Sequence, residues 1–544
     1  MAASSPPGAD AGSVMHSIGD TSPRAPVALP EIDVPVDKDV KLPDGVTVTV
    51  REFKFTGNTA FDSETLAAIV DSAVGNQMAL PDLLAEVRKI TRHYRANGYV
   101  VARAYLPAQE VSNGLITIGV LEGTVGNVSV DGEPKLPGYV TGGYVDSLRS
   151  SGVLRAGELE RPILLLNDLP GVSARATLSP GDATGSTDVE IVTEKTPVVT
   201  GSIDLNNYGS EYNGEWRLGG QVNANNALGF GELITVRPVI SEGLDTFYGQ
   251  IGGVIPVGKY GTKVGLFYTH VDSDVGKEFA VLGLEGETDV FSIDVTHPFV
   301  RTRDVSMYGY ARFDAKETTD SFDSQLALAD NTDYLKILTV GLSGETRDGH
   351  YGGGTTAYSV SISKGFEDVD KTSTDPLADG QFARLNWDVS RLQRLGDFND
   401  HLEDTLLFVR MTGQAATQRM VSSEQISLGG PRAVRAFRAG EAQGDAGLIL
   451  TAEVRQKFHT EFAAKYVDHV QGYLGVDLGF SSRNDPLPGE EDEAVRSGVA
   501  VGMKVGKTRN FMVDLGFAAD LFGDGNTARG GDAQLLLQAV KWYE

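Results

Sequence analysis

The sequence predicts two small α+β modules in tandem, followed by a sixteen-stranded antiparallel transmembrane β-barrel. Three observations carry that expectation. Helical periodicity appears in two successive blocks with the same order of elements, and it stops near Thr196. Beyond Thr196 the chain alternates apolar and polar residues in segments close to the ~9–11 residues a tilted membrane strand needs. No run approaches the ~20 apolar residues of a membrane helix, so if this chain spans a membrane it does so as a barrel.

Composition narrows the function. The chain has 544 residues, no cysteine, 65 glycines and a formal net charge of -27. Such a surface repels phosphate and argues against a nucleic-acid partner. Lack of cysteine excludes a disulfide framework and suits passage through an oxidising periplasm. Residues 1–16 have neither the basic start nor the apolar stretch of a signal peptide. A mature chain, or one with an added methionine, is expected. Residues 17–42 are rich in proline and acidic residues and read as a linker or disordered arm, so residues 1–44 form an N-terminal arm.

The first module occupies residues 45–123. Val46–Phe55 alternates as a strand and ends at the turn Gly57-Asn58. A short helix is expected over Ser63–Ala73 and a stronger one over Pro81–Asn97. In the second, Leu83, Val87, Ile90 and Tyr94 fall at helical spacing and Gly98 stops the helix. Strands are expected at Val100–Leu106 and Leu115–Leu121. The second module, residues 124–196, repeats the order: strand Gly126–Val130, helix Tyr139–Ser150, a helix carrying Leu159, Ile163 and Leu166, then strands Val172–Leu178 and Asp188–Thr193.

Residues 197–544 form the barrel. Leu448, Leu450, Ala452 and Val454 face one way, and Thr451, Glu453, Arg455 and Lys457 the other. Val499, Val501, Met503 and Val505 oppose Gly498, Ala500, Gly502 and Lys504. Charged residues on the hidden face fit a water-filled lumen with lipid outside. Connections alternate in length: 257–258, 301–302 and 507–508 are tight, whereas 273–287, 318–332, 367–379, 417–445 and 482–492 are long. Short periplasmic turns and long outer loops are expected of an outer-membrane barrel. The early loops near 209–213 and 242–243 read as short. An even strand count leaves both barrel ends, and hence the modules, on the periplasmic side.

The loop 417–445 carries Gly429-Gly430-Pro431-Arg432-Ala433-Val434-Arg435-Ala436-Phe437. The Gly-Gly-Pro turn ends a strand, and Val434 and Phe437 flank Arg435, making it a fixed charge. In isolation V-R-x-F is more often a solvated loop arginine. Enzyme chemistry finds no support. Gly502–Thr508 is one residue short of a phosphate loop and lies in strand and turn. The eight histidines show no metal spacing, and no nucleophile motif is present. No catalytic residue, metal or cofactor is assigned.

Over roughly residues 45–544 the chain resembles two-partner secretion outer-membrane transporters of the haemolysin-activator type (TpsB, ShlB/FhaC-like). In the first module the resemblance rests on Gly57-Asn58, Tyr94, Gly98-Tyr99, Ala102-Arg103, Leu106-Pro107 and Leu121-Glu122-Gly123. Pro180-Gly181 carries it in the second. The V-R-G-[FY] signature is Val434-Arg435-Ala436-Phe437, with alanine for the usual glycine. The x-D-x-G strand motif fits Gly475-Val476-Asp477-Leu478-Gly479. Two further departures stand out. The chain ends Trp542-Tyr543-Glu544, without a terminal aromatic residue. Gly8, Gly12 and Gly19 disfavour the plug helix many relatives carry, so at most a weak helix is expected in residues 8–20.

The resemblance implies that the modules are periplasmic polypeptide-transport-associated (POTRA) domains that capture an unfolded exoprotein. That client would be a large β-helical adhesin or haemolysin-like protein. The implied client-binding edge is Val100, Val101, Ala102, Arg103, Ala104, Tyr105 and Leu106, beside the helix Leu83–Asn97. The signature loop, with Gly429, Gly430, Pro431, Val434, Arg435 and Phe437, would fold inward. There Arg435 would meet Asp477 on the wall, between Gly475 and Gly479. Other implied partners are outer-membrane lipid and, during biogenesis, the barrel-assembly machinery. Threading would need no ATP, because folding outside prevents return. The alternatives are an insertase for other barrels and a passive porin or receptor.

Overall fold

The computed structural model describes residues 11–20, 32–33 and 47–544, except 112, 135, 150–151, 323–329, 370–376, 460–464, 488–489 and 524–532. From Val199 onward, strand follows strand. The first six are β1 (Val199–Asn206), β2 (Arg217–Asn225), β3 (Leu233–Ser241), β4 (Thr246–Val257), β5 (Thr262–Asp274) and β6 (Glu285–Arg301). Next come β7 (Val305–Ser321), β8 (Asn331–Asp348), β9 (Gly354–Asp368), β10 (Gly380–Arg394) and β11 (Thr405–Ala416). The last five are β12 (Ala446–Lys457), β13 (His469–Ser482), β14 (Glu493–Lys507), β15 (Phe511–Gly523) and β16 (Gln534–Tyr543). They close into a single barrel in sequence order. β1 pairs antiparallel with β16, from Gly201 opposite Tyr543 to Asn206 opposite Gln538.

The two faces follow the sequence alternation. Ile251, Leu338, Ile362, Leu474 and Val501 point outward and are exposed, whereas Glu453, Asp477 and Ala500 point inward and are buried. A closed barrel leaves no unpaired edge, and its apolar outer surface suits lipid. Strand lengths run from 8 residues in β1 to 18 in β8, longer in mid-chain than expected. The tight turns are 258–261, 302–304 and 508–510, and 417–445 and 483–492 are long. One early expectation is corrected. The connection 207–216 is long, and Tyr212 and Asn213 fold onto the end of β5 and the loop after it: the Tyr212 carbonyl accepts from Gly276 at 2.7 Å, and Asn213 Nδ2 donates to Ser273 at 3.2 Å.

Each module has its own core. In the first, Leu115–Leu121 lies between Glu52–Thr56, parallel to it, and Arg103–Tyr105, antiparallel. Helices α2 (Ser63–Val70) and α3 (Leu80–Ala96) bury Leu66, Val70, Leu83, Val87, Ile90 and Tyr94 on this sheet. Asp62 caps α2 by accepting from the Thr65 amide at 2.7 Å. Glu122 ties the module together. Its carboxylate accepts from the amides of Thr59 and Ala60 at 2.6 and 2.8 Å, and from the Tyr94 hydroxyl at 2.8 Å. Burial pushes the Glu122 carboxyl up, but these hydrogen bonds outweigh burial and hold it below its ordinary value.

The second module packs the counterparts of α2 and α3, α4 (Gly138–Arg149) and α5 (Ala156–Asn167), against strands Thr124–Gly132, Val172–Pro180 and Ser186–Lys195. Its sheet gains a further strand. Ile32–Asp33 pairs in parallel with Ala176–Thr177, so the expected arm adds to a module edge. The end of α5 meets the tight-turn side of the barrel. Arg301 donates two bonds to the Asp168 carboxylate, both at 2.8 Å, and Lys263 donates to the Asp168 carbonyl at 2.6 Å.

A second correction concerns the N-terminal arm. Residues Ala11–Asp20 form a helix, which completes the helices as α1 to α5 with α1 preceding the modules. Its face of Ala11, Val14 and Ile18 is fully buried against Val239, Tyr248 and Val271, lumen-facing residues of β3, β4 and β5. Glycine lowers helix propensity by ~1 kcal/mol. Burial of an apolar stripe, at ~1.5–3 kcal/mol for each large side chain, outweighs that cost.

Candidate functional site

The connection between β11 and β12 does not extend away from the barrel; it folds into the lumen. A short pairing of Ile426–Ser427 with Gln443–Gly444 closes its neck. At the inner tip Val434 is fully buried, and Arg435, Ala436 and Phe437 are nearly so. The expected meeting of Arg435 and Asp477 is present. Arg435 Nε and Nη2 donate to the two Asp477 carboxylate oxygens at 2.8 and 3.0 Å. This is the bidentate fork that a lysine cannot reproduce.

Glu453, Arg455, Thr451 and Tyr473 complete the site. Arg435 Nη1 donates to Glu453 on β12, and Glu453 also accepts from Arg455 Nε at 2.8 Å. Thr451 donates its hydroxyl to Asp477 at 2.9 Å, and the guanidinium lies 5.7 Å from the centre of the Tyr473 ring. Glu453 was legible as lumen-facing, but strand alternation cannot state which inward residues converge. The register does: Thr451 lies opposite Asp477 and Glu453 opposite Gly475.

The glycines leave space for the loop. A Cβ on Gly475 would stand 2.7 Å from Glu453 Cγ and 2.9 Å from Arg435 Nη2. One on Gly479 would stand 2.9 Å from Val434 Cγ2. Alanine is accommodated at 436 for two reasons. Its backbone is not among the left-handed positions, and its methyl faces Gly498 beside Ala500 and Ala518. Gly429 and Gly430 form the approach to the tip, where the Gly430 amide donates to the Phe437 carbonyl at 3.0 Å. Gly430 has a φ of 129°, the backbone region that favours glycine. Pro431 follows and lines the lumen beside Arg432.

Outside the membrane strands, the same loop is tied to its neighbour, 483–492. Glu490 accepts from Arg419 at 2.7 and 2.8 Å and from the Leu487 amide at 2.6 Å. The Arg419 fork holds the Glu490 carboxyl down to about 2.

The implied client edge is only partly present. Arg103–Tyr105 alone form a strand, at one edge of the first module's sheet. Val100 and Val101 lie in a turn, Ala102 is fully buried, and Leu106 lies past the strand's end. Val101 packs on the second module's core, so its apolar character serves the joint between modules. The Ala104 amide already donates to Thr91 Oγ1 at 3.0 Å. Arg103 and Tyr105 keep exposed side chains. The other edge strand, Glu52–Thr56, is longer.

With this geometry in view, two family models match the chain. One, "Haemolysin secretion/activation protein ShlB/FhaC/HecB", covers residues 185–505, and a POTRA domain of ShlB type covers residues 48–123. The heme/hemopexin transporter protein HuxB of Haemophilus influenzae is 24% identical over 491 residues, covering 88% of this chain and 84% of its own. The outer membrane transporter CdiB of Escherichia coli is 24% identical over 456 residues, covering 81% and 74%. The solved structure of CdiB from Escherichia coli superposes with a TM-score of 0.69 at 20% identity, covering 92% of this chain and 91% of that one. BamA from Haemophilus ducreyi, lacking POTRA domains 1–3, gives a TM-score of 0.55 at 12% identity, covering 92% and 100%. These structural likenesses are of fold.

Proposed function

The chain belongs to the haemolysin secretion/activation family ShlB/FhaC/HecB, and on that premise we propose how it works as the outer-membrane pore of two-partner secretion. It is an outer-membrane transporter that exports a secreted partner protein. Both modules act as POTRA domains in the periplasm. The second repeats the strand–helix–helix–strand–strand order of the first, and its Asp168 meets the tight-turn side of the barrel. An unfolded partner of large β-helical type enters there. The edge at Arg103–Tyr105 offers exposed side chains and a short stretch of backbone for strand addition.

At rest the lumen is filled by α1 and the inward loop. Export requires that α1 leaves and that the loop stays ordered against the wall. The observation that carries this reading is Arg435, buried in the lumen between Asp477 and Glu453. A buried ion pair of this kind is better understood as fixing one arrangement than as adding stability. The test is export of the partner by Arg435→Ala. Loss of export with a folded, heat-modifiable barrel is expected. Normal export by that variant would show that the clamp is not part of the machinery.

A further inference from the structure

We propose that Glu424 forms a second clamp of opposite polarity, and that this clamp holds the bed on which the plug helix rests. The proposal rests on the reading of α1 as the resting plug. In chain order the loop meets Glu424 before Arg435. Its short turn Ser422–Glu424 reaches the lumen wall at β7 and β10, strands that come before β11 and so before β12 and β13 in the barrel order. There Lys316 Nζ donates to Glu424 Oε1 at 2.6 Å, and Arg384 Nη1 donates to Oε2 at 2.7 Å. Arg384 also donates to the Glu424 carbonyl at 3.0 Å, as does Gln414 Nε2 at 3.0 Å. The side chains of Glu424 and Lys316 are 8% and 5% exposed, so water screens the pair little.

The two clamps are complementary. The loop offers an arginine to an acidic wall at one side and a glutamate to a basic wall at the other. Neither end of the loop can take the other's place without juxtaposing like charges, which fixes its register across the lumen. Apolar contacts reinforce the second clamp. Met420 and Val421, just before it, are buried with Leu335, Ile337 and Phe382.

α1 lies directly against Ser422–Glu424. It also reaches the loop's return limb, where Gln443 Nε2 donates to Ser13 Oγ at 3.2 Å. On its other side Arg217 donates to Ser17 Oγ at 2.9 Å. α1 therefore sits between the wall and a loop surface that Glu424 positions. Release of the Glu424 clamp loosens that surface and lets α1 leave more often, while the Arg435 clamp remains. Glu424 is thus a positioning residue for the resting pore.

The chain contains no cysteine, so a single introduced thiol is its only labelling site. With Met15→Cys as the parent, reaction of the full-length protein in outer-membrane vesicles with a bulky, water-soluble maleimide reads how often α1 is out of the lumen. Glu424→Gln in that parent is expected to label about tenfold faster, the ratio that ~1.4 kcal/mol gives. Glu424→Asp, which keeps the charge, is expected to fall between the two. Lys316→Gln reads the same contact from the wall and serves if the loop variant fails to fold. Combining it with Glu424→Gln should add less than the two single effects together. A parent-like rate in both single variants, or full additivity in the pair, overturns the proposal. No client is needed, so failure here is separate from failure of Arg435→Ala to affect export.

Discussion

Arg435 is specified by more than one partner, and this changes what a charge exchange should do. Its fork spans Asp477 while its remaining nitrogen holds Glu453. Removing the guanidinium leaves two carboxylates adjacent and buried, at a cost of ~3–5 kcal/mol in the loop's docking. Exchanging only Arg435→Asp with Asp477→Arg would place the new acid beside Glu453. Export should therefore stay poor in that double variant and improve when Glu453→Gln is added; equal export in the two would show that Glu453 does not count. Ala436 gives a second test at this scale. A Cβ on Gly498 would stand 2.7 Å from the Ala436 methyl. Gly498→Ala should impair export, and Ala436→Gly should restore it in the same chain. If Ala436→Gly gives no rescue in an export assay, the two positions do not share that space.

Among the elements, the first module depends on one carboxylate. Glu122 joins the turn after Glu52–Thr56, helix α3 and the end of Leu115–Leu121 through hydrogen bonds from Thr59, Ala60 and Tyr94. Its folded value lies below the ordinary 4.5. The stability it contributes is therefore complete above that ordinary value and is lost as pH falls through the depressed one. Thermal melting of a fragment spanning residues 45–196 should weaken as pH drops from about 5 toward about 3, and Glu122→Gln should flatten part of that slope. Glu122→Ala should cost ~1.5–3 kcal/mol at neutral pH, the size of a charge-assisted hydrogen bond. An unchanged melting curve in that variant would mean that the turn holds without the carboxylate.

For the whole molecule, occlusion has two components. α1 fills the lumen beside β3 to β6, and the loop 417–445 crosses it from β7 and β10 to β12 and β13. Deleting residues 11–20 should raise planar-bilayer conductance, and deleting residues 427–440 as well should raise it further. Conductance unchanged by the first deletion would show that α1 does not obstruct the path. At this scale the second module matters through its contact with the tight-turn side of the barrel, at Asp168. A 45–196 fragment should retain an unfolded N-terminal region of the client in a pull-down, and Arg103→Ala with Tyr105→Ala should weaken that retention.

The sequence by itself determined the modules, the barrel and the signature loop. Those features have local periods or turn chemistry: 3.6 in Leu83, Val87, Ile90 and Tyr94, and 2 in β12 and β14. Sixteen strands followed from counting such segments, and Asp477 was found inward because Val476 and Leu478 are apolar. Tertiary structure alone decided three things. It limited the strand expected over Val100–Leu106 to Arg103–Tyr105, because Ala102 is claimed by the module core and Val101 by the joint between modules. It made a helix of a glycine-containing stretch, because β3, β4 and β5 offer Ala11, Val14 and Ile18 an apolar lumen surface that propensity cannot see. It brought Glu453 to Arg435 and Lys316 to Glu424, because both contacts depend on strand register and loop path across the barrel. Alternation tells which residues face inward; only closure of the barrel tells which of them meet.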